Sequence, residues 1–307
     1  MLSRAIARVL PLVPRSIVWG VAQRYVAGTA IEDACAEVVG LNAAGKSATI
    51  DVLGEELTRP DETYAITAEY RRVLEELDTR GLDSTISVKL TALGLKLDLD
   101  LCREHLEAIV RDASARGRFV TIDMEDSSTT DDTLRLYREL RANGFDSVGI
   151  VLQACLRRTF ADIEALRELA PHVRLCKGIY VEPAEIAYRD ADEIRARFTE
   201  DLAALLAGEG FVGIATHDEA LIQEGQRRVA GLDVERYEFQ MLLGVRGERG
   251  DRLVAESQPL RIYVPYGEHW YEYSLRRLQE NPRIAGHVAR DTVRRVFRRS
   301  ASRTGRV

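Results

Sequence analysis

The sequence predicts an α/β protein whose eight parallel strands close into a (βα)8 TIM barrel. Short β-branched runs fall at 49–52, 85–90, 119–124, 147–152, 173–177, 211–216, 237–241 and 261–264. Amphipathic stretches with apolar residues at helix spacing separate them, among them 65–80, 100–116, 131–142, 158–170, 183–208 and 219–229. A strand that must be followed by a helix before the next strand builds a parallel sheet, and eight is the number that closes. An open doubly wound sheet is the alternative, but no Gly-rich turn follows the first strand to bind a dinucleotide there.

The elements divide the chain into a helical arm at 1–45, a barrel at 46–285 and a basic tail at 286–307. Arg4, Arg8, Arg15 and Arg24 among apolar residues give the arm some look of a targeting peptide. Pro11 and Pro14 break that run and an acidic helix follows, so the arm reads as part of the mature fold. Asp131-Asp132 and Asp218-Glu219 are helix starts, and Gly117, Gly144 and Gly231 stand near helix ends. Pro265 and Gly267 are expected to end the last strand, since proline lacks the ladder N–H and glycine supplies a turn. A helix is then expected over 271–280. Its spacing puts Tyr273, Arg276, Arg277 and Glu280 on one side. Adjacent guanidiniums repel unless an anion lies between them, and they are shaped to fork a carboxylate. A solvated Arg–Glu pair is the plainer reading of the same spacing. In the tail, Val293, Val296 and Phe297 give a helix with many arginines an apolar side, suited to an anionic membrane surface or simply to solvent.

A net charge of −6 and a pI near 5.6 exclude a general nucleic-acid binder. No apolar run approaches the roughly 20 residues of a membrane span. Cys35, Cys102, Cys155 and Cys176 have neither metal spacing nor the pattern of a disulfide framework, which suits a reducing, cytoplasmic compartment. Among 43 basic residues only Lys46, Lys89, Lys96 and Lys177 are lysines, so these mark positions where a compact ammonium is wanted.

Barrel chemistry sits where strands end. Those ends carry Asp51, Lys89, Asp123 with Met124 and Glu125, Gln153, Arg174 with Lys177-Gly178, Thr216-His217-Asp218, Glu238 with Gln240, and Tyr263. Buried charges cost several kcal/mol each unless paired, so so many converging on one mouth point to a ligand site. The cationic members suggest an anionic ligand, and Gly178 lets a backbone N–H approach a flavin or phosphate. A metal hydrolase using Asp123, Glu125, His217 and Asp218, a Schiff-base lyase using Lys89 or Lys177, and a non-catalytic barrel scaffold are the competing classes.

These residues also carry a resemblance. Tyr263, Pro265 and Gly267 followed by Tyr273, Arg276, Arg277 and Glu280 resemble the C-terminal motif of proline dehydrogenases. Ser87-Val88-Lys89-Leu90-Thr91-Ala92-Leu93-Gly94, Thr121-Ile122-Asp123-Met124-Glu125-Asp126-Ser127, Val151-Leu152-Gln153-Ala154, Arg174-Leu175-Cys176-Lys177-Gly178, Ala215-Thr216-His217 and Tyr237-Glu238-Phe239-Gln240-Met241-Leu242 resemble further family segments in the same order, over about 20–290. The resemblance implies a monofunctional, FAD-dependent enzyme with its last barrel helix over the mouth. Such an enzyme oxidises L-proline to Δ1-pyrroline-5-carboxylate by hydride transfer and passes electrons to a membrane quinone. A transient contact with pyrroline-5-carboxylate dehydrogenase, and one with the inner face of the membrane, are the associations it allows. By position, Asp123, Arg174 and Tyr263 resemble the catalytic residues. Lys89, Arg276, Arg277, Tyr273, Leu242 and Glu280 resemble the substrate contacts. Met124, Gln153, Arg174, Lys177, Gly178, Ile179, Thr216 and His217 resemble the FAD contacts, and no metal is implied. Tyr273 favours proline over hydroxyproline. Ile179 where Ala is usual, Asp218 where Asn is frequent, and Cys155 in place of an aromatic are departures that touch cofactor packing.

Overall fold

A computed structural model of the protein describes residues 15–54, 57, 59–271, 273 and 274. Its eight strands are β1 Ser47–Val52, β2 Ser84–Val88, β3 Val120–Ile122, β4 Val148–Gln153, β5 Val173–Cys176, β6 Val212–Ala215, β7 Tyr237–Leu242 and β8 Leu260–Tyr266. All pair in parallel with their sequence neighbours, and β8 closes on β1. The helices are α1 Arg15–Ala22, α2 Ile31–Ala43, α3 Pro60–Thr79, α4 Leu99–Ala115, α5 Thr130–Ala142, α6 Thr159–Leu166, α7 Ala191–Leu206, α8 Glu219–Val229 and α9 Gly247–Ala255.

Each strand has two chemistries because successive side chains point to opposite faces. Ile50, Ile86, Val88, Ile150, Leu175, Ile214, Phe239 and Val264 point outward, are at most 1% exposed, and pack under the helices as one core. The alternate residues point into the barrel. There Asp51 pairs in register with Ser87, Val151 with Arg174, and Gln240 with Arg261. At the strand starts Phe119, His172 and Phe211 stack, with ring centroids 4.2 and 4.1 Å apart. Burial, with Arg261 and Arg174 nearby, pushes His172 down to about 3, so this stack stays uncharged at neutral pH.

Two expected boundaries are corrected. Pro265 does not end the last strand but sits inside β8. Its missing N–H is tolerated because the ladder to β7 has already stopped at the Leu242–Tyr263 pair. Its carbonyl instead accepts from Ala27 N at 2.9 Å. The helix expected over 183–208 starts later, at Ala191. Asp190 has extended backbone and its side chain accepts from the N–H groups of Asp192 and Glu193, which makes it the N-cap and stops the helix from extending backward. Asp218 caps α8 in the same way, as expected. The helix-forming residues of α9 are an addition to the stretches recognised by periodicity.

The arm is tied to the mouth of the barrel. Gly267 N donates to Gly28 O at 3.0 Å, and Gly244 has a φ of 71° with no room for a Cβ, which would collide with the Arg24 carbonyl. Tyr25, Val26 and Leu53 form a small apolar cluster there with Tyr273, and Val245 and Trp270 pack against it. Trp19 meets Trp270 edge to face at 4.6 Å. The chain turns helical at Trp270. Most of the helix expected over 271–280, including Arg276, Arg277 and Glu280, lies outside the described residues, as do the basic tail and the first 14 residues.

Candidate active site

Four strands meet on one carboxylate. Asp123 follows β3, and its Oδ1 accepts from Ser87 Oγ at 2.7 Å and Arg174 Nη1 at 2.8 Å. Its Oδ2 accepts from the Tyr263 hydroxyl at 2.7 Å and from Lys89 Nζ at 3.2 Å. Ser87 and Lys89 lie two residues apart on and just beyond β2, so both face inward. Arg174 comes from β5 and reaches across the barrel to them. Burial alone would raise the Asp123 carboxyl, but Lys89, Arg174, Ser87 and Tyr263 together hold it below the usual carboxylate range. The same burial and the neighbouring Asp123 and Asp51 push the Tyr263 phenol well above its ordinary value, so it remains a donor.

Lys89 is a hub of its own. Its ammonium lies 2.7 Å from Asp51 Oδ1, 3.2 Å from Asp123 Oδ2 and 3.0 Å from the Tyr263 hydroxyl. An ammonium has three N–H groups, and these three partners match them. Two adjacent carboxylates favour the charged amine, the opposite of what a Schiff-base nucleophile needs. Lys89 and Arg174 also lie 5.7 and 5.2 Å from the centre of the Tyr263 ring. Among the described residues no group of three or more His, Cys, Asp or Glu side chains is placed to hold a metal ion.

Around this cluster the ends of β4, β5 and β6 form a platform. Buried Gln153 donates from Nε2 to Glu125 O at 2.9 Å, and the Glu125 carboxylate is held in turn by Thr91 N at 2.9 Å. Met124 is buried beside Glu125. Lys177 Nζ lies 3.2 Å from Asp218, which also takes Arg195 Nε at 2.7 Å. Gly178 has a φ of 94°, and a Cβ there would run into Cys155 Sγ, so this position excludes every side chain. Burial raises the Cys155 and Cys176 thiols to about 11 and 12, which leaves them inert. Thr216 Oγ1 accepts from Asp218 N at 3.1 Å. Leu242 N donates to His217 Nε2 at 2.9 Å, so the lone pair is on Nε2 and the ring proton on Nδ1. Ile179 is exposed on the loop after β5. The Tyr273 side chain is buried against Tyr25, Val26 and Leu53.

The structure thus joins Lys89, Asp123, Arg174 and Tyr263 directly, with Met124, Gln153, Lys177, Gly178, Thr216, His217 and Leu242 on neighbouring strand ends. Of the five cations expected to make the mouth positive, Arg276 and Arg277 lie outside the described residues. Lys89, Arg174 and Lys177 each have a carboxylate within 3.2 Å. Ser87 was no site candidate by residue type, and Arg261 also escaped notice. The signal for both was the two-residue period, since Ser87 precedes Lys89 and Arg261 precedes Tyr263 by one inward step.

Comparison with known proteins bears on what this arrangement does. Proline dehydrogenase 1 of Bacillus subtilis subsp. natto is 38% identical over 276 residues, covering 89% of this chain and 91% of that protein. The proline dehydrogenase of Deinococcus radiodurans is 35% identical over 280 residues, covering 89% of this chain and 90% of its own. Among solved structures, proline utilization A (PutA) from Bdellovibrio bacteriovorus, inactivated by N-propargylglycine, superposes with a TM-score of 0.78 at 24% identity. It covers 84% of this chain and 32% of that one, a likeness of fold. The family model for proline dehydrogenase matches residues 34–290, a span that runs from α2 through every barrel strand and past the described end of the chain. The chain belongs to the proline dehydrogenase family and is an enzyme that oxidises proline.

Proposed function

We propose that the enzyme oxidises L-proline to Δ1-pyrroline-5-carboxylate with FAD seated across the ends of β4, β5 and β6, and that its electrons pass to a membrane quinone. The Asp123 cluster carries this reading. It is a buried cluster of Asp123, Lys89, Arg174 and Tyr263 at the strand ends, suited to a flat cofactor and a small ring.

The residues on the platform suit FAD. Gln153, Lys177, Thr216 and His217 supply amide, ammonium, hydroxyl and imidazole groups for a flavin edge and a pyrophosphate. Gly178 keeps the surface clear of side chains, and Met124 and Ile179 add apolar area. FAD, when bound, supplies the hydride acceptor.

Oxidation removes a hydride from a proline carbon and a proton from its nitrogen. Asp123 is a poor destination for that proton, because four donors occupy its two oxygens and its carboxyl is already held low. The proton goes to water at the mouth. Asp123 instead fixes Lys89 and Arg174, while Tyr263 stays protonated between them. The proline carboxylate falls to Arg276 and Arg277, with Glu280 orienting them and Lys89 nearby. Leu242 and Tyr273 wall the ring. The product passes to a pyrroline-5-carboxylate dehydrogenase by transient contact. The work is done in the cytoplasm or at the inner face of the membrane.

An anaerobic flavin spectrum tests the reading. The purified protein should be yellow and L-proline should bleach it. A colourless protein trapped by borohydride on a carbonyl compound would make it a lyase, and a yellow protein indifferent to proline would make it a scaffold.

A further inference from the structure

Arg174 is held from below as well as from above. Its Nη1 donates to Asp123 Oδ1, and its Nε donates to Gln240 Oε1 at 2.6 Å. Gln240 Nε2 in turn donates to Glu238 Oε1 at 2.7 Å. The same Glu238 oxygen accepts from Arg261 Nε at 2.7 Å, and Arg261 Nη1 donates to Ala48 O at 2.6 Å. Glu238 and Gln240 are 6% and 8% exposed. They lie two apart on β7, so both face the barrel interior.

A side-chain amide has an acceptor at one end and donors at the other, whereas a carboxylate only accepts. Glu238 and Arg174 together dictate the orientation of Gln240: the Nε2 end faces the carboxylate, which only accepts, and Oε1 faces the guanidinium, which only donates. Glu238 anchors the far end of the amide, and without it Nε2 would lose its partner and Oε1 its fixed position against Arg174. The neighbouring strand is built around the same amide. Gly213 on β6 has no side chain, and a Cβ there would collide with Gln240 Nε2. The charges along the column alternate: Arg261, Glu238, the neutral Gln240, Arg174, then Asp123. Each link is thereby attractive, and Arg174 is clamped between an amide oxygen and a carboxylate.

We propose that Glu238 is a positioning residue for proline oxidation: it fixes the Gln240 amide, and through it sets the Arg174 guanidinium against Asp123. This rests on reading Arg174 as a catalytic position. It assigns to Glu238 no contact with substrate or cofactor.

The test compares Glu238→Gln, Gln240→Glu and the double variant in the full-length, FAD-loaded protein. The double variant swaps the polarity of the pair at constant total charge, so the new amide donates to the new carboxylate and the carboxylate holds Arg174. Anaerobic bleaching by L-proline, proline KM, FAD content and the urea midpoint are measured for each. The inference expects both single variants to bleach at least tenfold more slowly with KM and FAD content within twofold of the original protein. It expects the double variant to regain a rate within threefold of the original and much of the lost midpoint. Single variants that bleach at the original rate overturn it, and so does a double variant no faster than the singles. If either single variant is insoluble, the double variant decides alone by the same threefold criterion. If proline fails to bleach the unsubstituted protein, the function proposed above falls, and this inference with it. If it bleaches both the unsubstituted protein and Glu238→Gln equally, this inference alone falls.

Discussion

The two faces of the barrel strands share a backbone and differ in everything else. Outward, Ile86, Val88, Leu175 and Phe239 are fully or almost fully buried and purely apolar. Inward, their immediate neighbours Ser87, Lys89, Arg174, Glu238 and Gln240 are polar, also buried, and joined by hydrogen bonds inside the barrel. The outer face gains by leaving water, at about 25 cal/mol per Å². The inner face gains little net free energy, because desolvating ions offsets most of their attraction. What it obtains is a fixed arrangement, since each charge has its partners in one geometry only. Apolar burial and a fixed polar arrangement are thus divided between alternate residues of the same strands.

Substituting one residue on each face should separate the two roles. Asp123→Ala leaves Lys89 and Arg174 without their shared carboxylate, a change that costs about 3–5 kcal/mol for a buried pair. Loss of transition-state positioning of the same size would, at about 1.36 kcal/mol per tenfold, lower kcat/KM for proline by roughly 10²- to 10⁴-fold. Steady-state kinetics checks it, and a loss below tenfold would mean the cluster is structural only. Phe239→Ala on the opposite face should cost about 3–5 kcal/mol in urea unfolding. The folded fraction should keep its kcat, and a kcat loss as deep as that of Asp123→Ala would erase the division between faces.

A smaller effect is expected at the mouth. Arg276→Met should raise the proline KM by about 10- to 100-fold, the equivalent of losing one charge-assisted hydrogen bond of about 1.5–3 kcal/mol. FAD should stay bound. A purified variant with an unaltered KM would remove Arg276 from the substrate site.

The division between faces also explains what could be read before any coordinates. The eight strands were visible because their outward residues are β-branched or aliphatic, and the closed parallel sheet follows from their count and connections. Lys89, Asp123 and Tyr263 were visible because charge and phenol at strand ends are costly and therefore informative. The pairing was legible in part: Asp123 was expected to meet Lys89 or Arg174 and it meets both, but nothing in the spacing said that Asp51 would also turn to Lys89. Partners contributed by β1, β2, β3, β5 and β8 are remote in sequence, and only closure of the barrel brings them together. Pro265 misled for the same reason. Whether a missing N–H matters depends on which neighbour has already ended, and that is a property of the sheet.

Two buried aspartates sharpen the contrast at the lower end of the scale. Asp123 sits inside the barrel with four donors, and its carboxyl is held low. Asp201 sits outside it on α7, 3% exposed, with Oδ2 lacking any hydrogen bond. Burial, with Glu200 beside it, raises its carboxyl to about 7 against a weaker pull from Arg197. The signs are opposite. Asp123 adds stability above the unfolded carboxyl value of about 4, and that contribution is lost as pH falls through its lower folded value. Asp201 keeps a proton that the unfolded chain releases, so stability declines as pH rises from about 4 to about 7 and the full cost persists above. Asp201→Asn removes that proton exchange while keeping the shape. Relative to the unsubstituted protein, its unfolding free energy should therefore gain about 2 kcal/mol between pH 5 and pH 8. Thermal or urea melts at the two pH values measure the gap. A gap that stays level or narrows as pH rises would mean that Asp201 is ionised in the folded protein and that its burial has been met by water.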